Sequence, residues 1–144
     1  MATKLEDAGP GTVKLFKTFF LVAAWYDLIL GAVFFFLYGP VYDFLDIALP
    51  NSTSYIHLSA GFVFVQGVGY WFVYRNMFRN IDLVRLGVIY KTVYSSVSVY
   101  YLAIGQLPHP TFAWFALFDV LFLVGFVRFL MLARSSELEP VPQG

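Results

Sequence analysis

Residues 18–38 read TFFLVAAWYDLILGAVFFFLY, a stretch of 21 residues in which Asp27 is the only charged side chain. An α-helix rises about 1.5 Å per residue, so about 20 apolar residues cross the roughly 30 Å hydrocarbon core of a bilayer. Three further stretches of similar length and character follow at residues 55–74, 86–104 and 112–132. Because the connections between them are short, the sequence predicts an all-α integral membrane protein, an antiparallel bundle of four transmembrane helices.

The composition of the 144-residue chain agrees with this class of protein. Hydrophobic residues make up 60% of the chain and charged residues only 12%, whereas a soluble domain carries about 25% charged residues. Nine basic residues balance nine acidic ones, so no basic excess is left to bind nucleic acid. The chain has no cysteine, which excludes thiol catalysis, disulfides and cysteine-based metal sites.

Basic residues predict the orientation in the membrane, because Lys and Arg near the ends of a span resist translocation. They occur before the first span, between the second and third spans, and at the end of the fourth, whereas the connections at 39–54 and 105–111 contain none. Both termini are therefore expected in the cytoplasm, which in a bacterium places the protein in the inner membrane. The predicted organisation is a cytoplasmic segment at 1–15, a four-helix domain at 16–132 and a cytoplasmic tail at 133–144, which is expected to be disordered from Ser135 onwards.

The first outer connection has an amphipathic pattern between two prolines, Pro40 and Pro50. Its apolar side chains share one helical face and its carboxylates share another. The apolar set is Val41, Phe44, Leu45 and Ala48, and the acidic set is Asp43 and Asp46. This spacing predicts a short helix in the membrane interface, and the alternative is a loop with one or two helical turns.

Three ionisable residues, Asp27, Lys91 and Asp119, lie deep within the predicted spans. Each costs about 2.5–3.5 kcal/mol at the bilayer centre unless it is paired. Helix geometry places Asp27 about 14 Å from the cytoplasmic end of its span, and Lys91 about 8 Å with a side chain reaching about 6 Å further. Asp119 lies roughly 20 Å above the same boundary. All three can meet in one layer, and the matched depths favour an Asp27–Lys91 pair.

Polar side chains extend this layer along the helices. A stripe at steps of three and four runs along the third span, a looser polar face lies on the second, and small residues flank Asp27 on the first. The positions are Gly87, Lys91, Tyr94, Ser98 and Tyr101 on the third span, Ser59, Gln66 and Tyr70 on the second, and Ala23, Asp27 and Gly31 on the first. Lipid offers polar groups no partners, so we expect the stripes to face the bundle interior.

The candidate ligand-binding or proton-exchanging residues are Asp27, Gln66, Lys91, Tyr94 and Asp119. Two acids against one base leave a surplus carboxylate, which can bind or relay a proton. The alternative is that the cluster only fixes the register of the helices.

Two histidines, His57 and His109, lie on the outer side of the predicted bundle. A shared haem or metal site is conceivable, but His109 sits in a turn between two prolines, and we interpret both as interfacial residues. We predict no cofactor and assign no metal ligands. A bound quinone or haem is the alternative. The sequence lacks the motifs of serine hydrolases, zinc proteases and nucleotide-binding enzymes.

The polar positions also carry a resemblance to a known family. They are Tyr26-Asp27 with Gly31, Pro50, Gly67, Tyr90-Lys91, Leu107-Pro108 and Phe118-Asp119. Over residues 16–132 this arrangement resembles small bacterial four-helix membrane proteins of the DoxX-like kind. The resemblance implies an association with quinone-linked redox processes, although the lack of cysteine excludes a thiol-based version here.

The sequence thus favours an inner-membrane protein that binds a small lipophilic ligand, such as a quinone or a lipid, or exchanges protons at its buried charges. The expected partners are membrane lipid, a lipophilic small molecule, and further copies of the chain or a larger membrane complex. A non-catalytic accessory or assembly subunit of such a complex is the main alternative. An enzyme acting on an isoprenoid or lipid, with Asp119 as its acid, is a further one.

Overall fold

The computed structural model describes residues 9–134, and every regular element in this range is an α-helix. In chain order the helices are α1 (Pro10–Phe36), α2 (Tyr38–Phe44), α3 (Ser54–Arg75), α4 (Ile81–Ala103) and α5 (Thr111–Arg134). α1 begins well before the predicted span, with a proline in its first turn, where the missing N–H has no intrahelical partner to lose. The prediction of a disordered tail falls on residues outside the described range.

Three of the four long helices, α1, α3 and α5, are long and apolar enough to cross a membrane. α4 has sufficient length, 23 residues, but it is not among these three within the described residues. It carries Lys91 together with eight hydroxyl side chains, which lower its hydropathy. Length and composition therefore mark a membrane protein with three candidate spans.

Small residues allow neighbouring helices to pack closely. A Cβ atom added to Gly31 of α1 would lie 2.6 Å from the backbone nitrogen of Phe64 in α3, and one added to Gly67 of α3 would lie 2.7 Å from the backbone nitrogen of Leu28. Gly31, the later of the two α1 residues, therefore contacts the earlier residue of α3, and Leu28 contacts the later one. This order makes the two helices antiparallel. The predicted interior position of the small residues around Asp27 is confirmed.

The predicted interfacial helix exists but is shorter than its pattern suggested. α2 covers Tyr38–Phe44, and the chain then turns through Asp46, which has a φ of 53°. Ala48 consequently lies beyond the helix instead of on its apolar face. Val41, Phe44 and Leu45 do share one side of this segment, where all three line a cavity.

The buried hydrophobic core occupies one end of the bundle, next to the loop that joins α3 to α4. Its residues are Phe16, Phe20, Ala23, Ala24, Tyr70, Val73, Met77, Val84, Phe126 and Phe129. We call this part the packed half. The opposite part, which carries α2 and lies beyond the level of Asp27 and Lys91, is called the open half because two cavities occupy it.

Candidate functional site

Asp27, Lys91 and Asp119 meet in the bundle as a buried triad. Nζ of Lys91 lies 2.9 Å and 3.0 Å from Oδ1 and Oδ2 of Asp27, and 2.6 Å from Oδ1 of Asp119. An ammonium group has three N–H donors, and these three distances give each of them a carboxylate acceptor. The predicted Asp27–Lys91 pair is confirmed, and Asp119 joins it through the same lysine.

The triad is almost completely removed from the surface. The side chains of Asp27 and Lys91 are each 1% exposed, whereas that of Asp119 is 7% exposed. Aromatic rings surround the ammonium group at 5.4–5.6 Å from their centroids, within the range of cation–π attraction. These rings belong to Tyr26, Tyr70, Tyr90 and Phe122. The cation is therefore held by two carboxylates inside an aromatic cage.

Asp119 is the member of the triad with an oxygen to spare. Lys91 contacts only its Oδ1, and no hydrogen bond reaches its Oδ2 from residues 9–134. With all three side chains ionised, the triad holds two negative charges against one positive. Uptake of one proton on Oδ2 would balance the charge, which a low-dielectric interior favours.

A cavity of about 350 Å³ lies next to the triad in the open half. Gly31 lies one helical turn after Asp27, Tyr94 one turn after Lys91, and Phe115 one turn before Asp119, and all three line this cavity. In an antiparallel bundle these displacements point to the same end. Three helices therefore place the cavity floor about 5 Å from the triad, one turn along each helix.

The cavity carries hydroxyl groups on otherwise apolar walls, and we call it the hydroxyl cavity. The hydroxyl side chains are those of Tyr42, Tyr55, Ser59 and Tyr94. Burial raises the pKa of the Tyr42 phenol above its usual value near 10, so this group stays a neutral hydrogen-bond donor at physiological pH. The cavity can therefore hold a mainly apolar molecule that carries hydrogen-bonding oxygen atoms.

Three buried hydroxyl groups have no hydrogen-bond partner among the described residues: those of Tyr26, Tyr70 and Ser95. Such groups normally bind water, an ion or a ligand. Tyr26 and Tyr70 also belong to the cage around Lys91. Sequence reasoning placed Tyr70 on a polar face but missed Ser95, although Ser95 lies four residues after Lys91 and thus on the same side of α4.

The other candidate residues take different places. Tyr94 is half-buried at the hydroxyl cavity, one turn from the triad. Gln66 is half-buried and makes no hydrogen bond within the described part of the chain. A Cβ atom added to Gly69 would lie 4.0 Å from Oε1 of Gln66, so this amide lies along its own helix. The structure therefore joins three of the five candidates in the triad, places Tyr94 at the neighbouring cavity, and leaves Gln66 without a hydrogen bond to any of them.

The two histidines are occupied locally. Nδ1 of His57 lies 3.1 Å from the carbonyl oxygen of Thr53, and its ring packs edge-on against Phe35 and Tyr38. Nδ1 of His109 lies 2.8 Å from Oγ1 of Thr111, at the start of α5. No cluster of three metal-ligating side chains occurs among the residues that the structure describes.

Comparisons of the chain with protein-family models, curated proteins and solved structures find no match. The geometry of the triad and of the hydroxyl cavity is therefore what supports a function.

Proposed function

We propose that all four long helices cross the membrane, with both termini in the cytoplasm. The support for a spanning α4 is the direction of its side chains. Lys91, Ser95 and Ser98 are buried in the bundle, while Ile89 and Val93 are exposed. A helix with its deep charged side chain and two serines turned inward and large apolar side chains turned outward suits lipid despite a modest mean hydropathy.

Single cysteines test this orientation without background, because the chain has no native cysteine. Asp43→Cys, on α2, should react with an impermeant thiol reagent added to intact cells. Arg79→Cys, in the loop between α3 and α4, should react only after the cells are opened. Both positions are exposed, so the reverse pattern would contradict the orientation.

We further propose that the protein binds a small lipophilic ligand in the hydroxyl cavity and exchanges a proton at the triad. The observation that carries this proposal is the position of the cavity, one helical turn from Asp27, Lys91 and Asp119 on three helices at once. A cluster that served only to hold the helices together would be best enclosed on all sides by packed side chains. Towards the open half this triad instead has a cavity within about one helical turn.

The chemistry follows from the groups at the cavity. The phenol of Tyr94 and the other hydroxyls donate hydrogen bonds to oxygen atoms of the ligand. Oδ2 of Asp119 accepts a proton, and the charge of Lys91 is then balanced by Asp27 alone. A quinone or a lipid with oxygen in its head group has the required acceptors. Of these two, the resemblance to DoxX-like proteins favours the quinone.

Asp119→Asn separates the functional role of this side chain from a structural one. The amide keeps the shape and an oxygen acceptor for Lys91 but cannot take up a proton. The matched control is Asp82→Asn, because Asp82 is an exposed carboxylate on α4. Folded protein measured by melting in detergent should survive both changes, whereas proton uptake on ligand binding should be lost only in Asp119→Asn. Unchanged proton uptake in a stable Asp119→Asn variant would remove this residue from the site.

A second candidate, a non-catalytic accessory subunit, is favoured by large aromatic side chains at the open end. Phe44 of α2 is 88% exposed and Phe36 at the end of α1 is 77% exposed. Such rings can contact a partner helix as well as lipid. Native mass spectrometry of gently solubilised protein distinguishes the two candidates. A bound small molecule supports the ligand-binding proposal, and a stoichiometric partner protein without one supports the accessory subunit.

A further inference from the structure

A second cavity of about 530 Å³ lies in the open half, between α1, α2 and the start of α5. Its wall consists almost entirely of hydrocarbon and aromatic surface, and we call it the apolar cavity. Val33 comes from α1 and Leu37 from the junction between α1 and α2, while Val41, Phe44 and Leu45 come from α2 and the residue after it. The apolar face of α2 thus covers a cavity instead of packing on a helix.

The two cavities are neighbours with a common wall. Leu30, Phe34 and Phe115 line both of them. The centroid of the Phe34 ring lies 6.1 Å from that of Phe115, near the long end of the range for aromatic pairs. These three residues therefore form a wall that the hydroxyl cavity and the apolar cavity share.

We infer that one amphiphilic molecule occupies both cavities, with an oxygen-bearing head group in the hydroxyl cavity and a single hydrocarbon tail in the apolar cavity. This inference rests on the proposed function and specifies its ligand class. A wholly apolar molecule would leave the hydroxyl groups of the first cavity without partners. A compact polar molecule would leave the larger, apolar cavity unfilled. An amphiphile satisfies both surfaces.

The way in follows from the packing of α1 against α5. These helices make few contacts with each other, and in the packed half their rings meet as Phe16 with Phe129 at 5.5 Å and Phe20 with Phe129 at 5.1 Å between centroids. In the open half the apolar cavity lies at the junction of α1 and α5. A tail therefore enters sideways from the leaflet on the side of α2.

Two valines allow the cavities to be filled separately. Val33 lines only the apolar cavity and Val63 lines only the hydroxyl cavity, and both are half-buried. Val33→Trp places an indole where the tail would lie, and Val63→Trp places one beside the head group. Val124→Trp is the matched control, because Val124 is exposed on α5.

The probes are a decyl-substituted benzoquinone, the same ring with a methyl group in place of the tail, and a decanoyl glycerol, each titrated at a fixed detergent concentration. Val33→Trp should weaken the binding of the decyl-tailed probes by about tenfold or more and change the affinity for the methyl-substituted ring by no more than about twofold. Val63→Trp should weaken the binding of tailed and methyl-substituted probes alike, and Val124→Trp should change the affinity for none of them. Leu37→Trp, at the rim of the apolar cavity, is the second variant if Val33→Trp does not fold.

The outcomes separate the two claims. One outcome is that the tailed probes bind more weakly to Val63→Trp but bind Val33→Trp and Leu37→Trp as tightly as the unaltered protein. That result would overturn the inference of one ligand in both cavities and leave the proposed function intact. Failure of every probe to bind the unaltered protein, or binding that Val63→Trp does not change, would overturn the proposed function and with it the inference. Preferential binding of the decyl quinone or of the decanoyl glycerol identifies the head group.

Discussion

The packed half and the open half of the bundle differ in what their aromatic residues do. In the packed half, the ring centroids of Phe20 and Phe129 lie 5.1 Å apart and both side chains are fully buried. In the open half, the centroids of Phe34 and Phe112 lie 6.3 Å apart and border a cavity. The triad lies between the two halves, so it is sealed on one side and approached by cavities on the other.

Residue size explains this difference. In the packed half α1 supplies the rings of Phe16 and Phe20, and the ring of Tyr70 packs over Gly87 of α4, where a Cβ atom would lie 2.7 Å from it. In the open half the hydroxyl cavity is lined by small residues, Gly31 of α1 and Ser59 and Ala60 of α3, which leave volume unfilled. Tight packing stabilises one half, and the space in the other half is available to a ligand.

The largest effect should come from Lys91→Met, which leaves two carboxylates buried together without their cation. We expect a loss of about 3–5 kcal/mol in the free energy of unfolding in detergent. Adding Asp27→Asn and Asp119→Asn should restore part of the loss, because the uncompensated charges disappear. Arg85→Met is the control, since Arg85 pairs with Asp82 at the surface and should cost no more than about 1 kcal/mol. Purely additive losses at the triad would show that its members do not interact.

A comparable effect should separate the two halves directly. Phe126→Ala removes a fully buried ring and should cost about 3–5 kcal/mol, because a tightly packed core does not collapse into the space. Phe115→Ala removes a ring that already borders both cavities and should cost less than about 2 kcal/mol, because fewer contacts are lost. Equal losses in chemical denaturation would mean that the two halves are packed alike.

Adding a methyl group to a glycine of α3 tests the close packing of α1 on α3. In Gly67→Ala the added Cβ would lie 2.7 Å from the backbone of Leu28, so the helices must separate at a cost of about 1–3 kcal/mol. Gly61→Ala is the matched control on the same helix, with its nearest neighbour 3.9 Å away. It should be neutral or slightly stabilising. The reverse order of melting temperatures would contradict the register of the two helices.

The smallest effect on stability is expected at the hydroxyl cavity. Tyr42→Phe should change the free energy of unfolding by no more than about 0.5 kcal/mol at neutral pH. Because burial raises the pKa of Tyr42, its neutral form is favoured in the folded protein, and its contribution should fall as the pH rises above about 10. Tyr42→Phe should therefore lose less stability than the parent protein between neutral pH and pH 11. A steeper loss in the variant would contradict the burial of this phenol.

The triad could be predicted from the sequence because it follows from helix geometry and the cost of unpaired charge. Depth along a helix is fixed by residue number, and Asp27 and Lys91 have few other partners within an apolar bundle. Lys91 has three N–H donors, so it also contacts Asp119, although the matched depths favoured only the pair with Asp27. The sequence placed Gln66 on a polar face of its helix, yet Gln66 makes no hydrogen bond to the triad. A small rotation of a helix about its axis is enough to change which neighbour a side chain meets.

The cavities could not be predicted in this way. A cavity depends on how far apart helices are held, and this distance is set by contacts elsewhere, such as Gly31 against Phe64. The apolar pattern of α2 was visible, but it did not show whether Val41 and Phe44 would face lipid, another helix or empty space. The hydropathy of α4 likewise could not show that Lys91, Ser95 and Ser98 are turned inward.

Access to the open half from the side of α2 is the central claim, and two valines of α3 test it most directly. Val63 lines the hydroxyl cavity, whereas Val73 is fully buried in the packed half. In right-side-out membrane vesicles, Val63→Cys should be modified by a small charged thiol reagent added outside, and Val73→Cys should remain protected until the protein is unfolded. Modification of both cysteines at the same rate, or of Val73→Cys alone, would contradict the account.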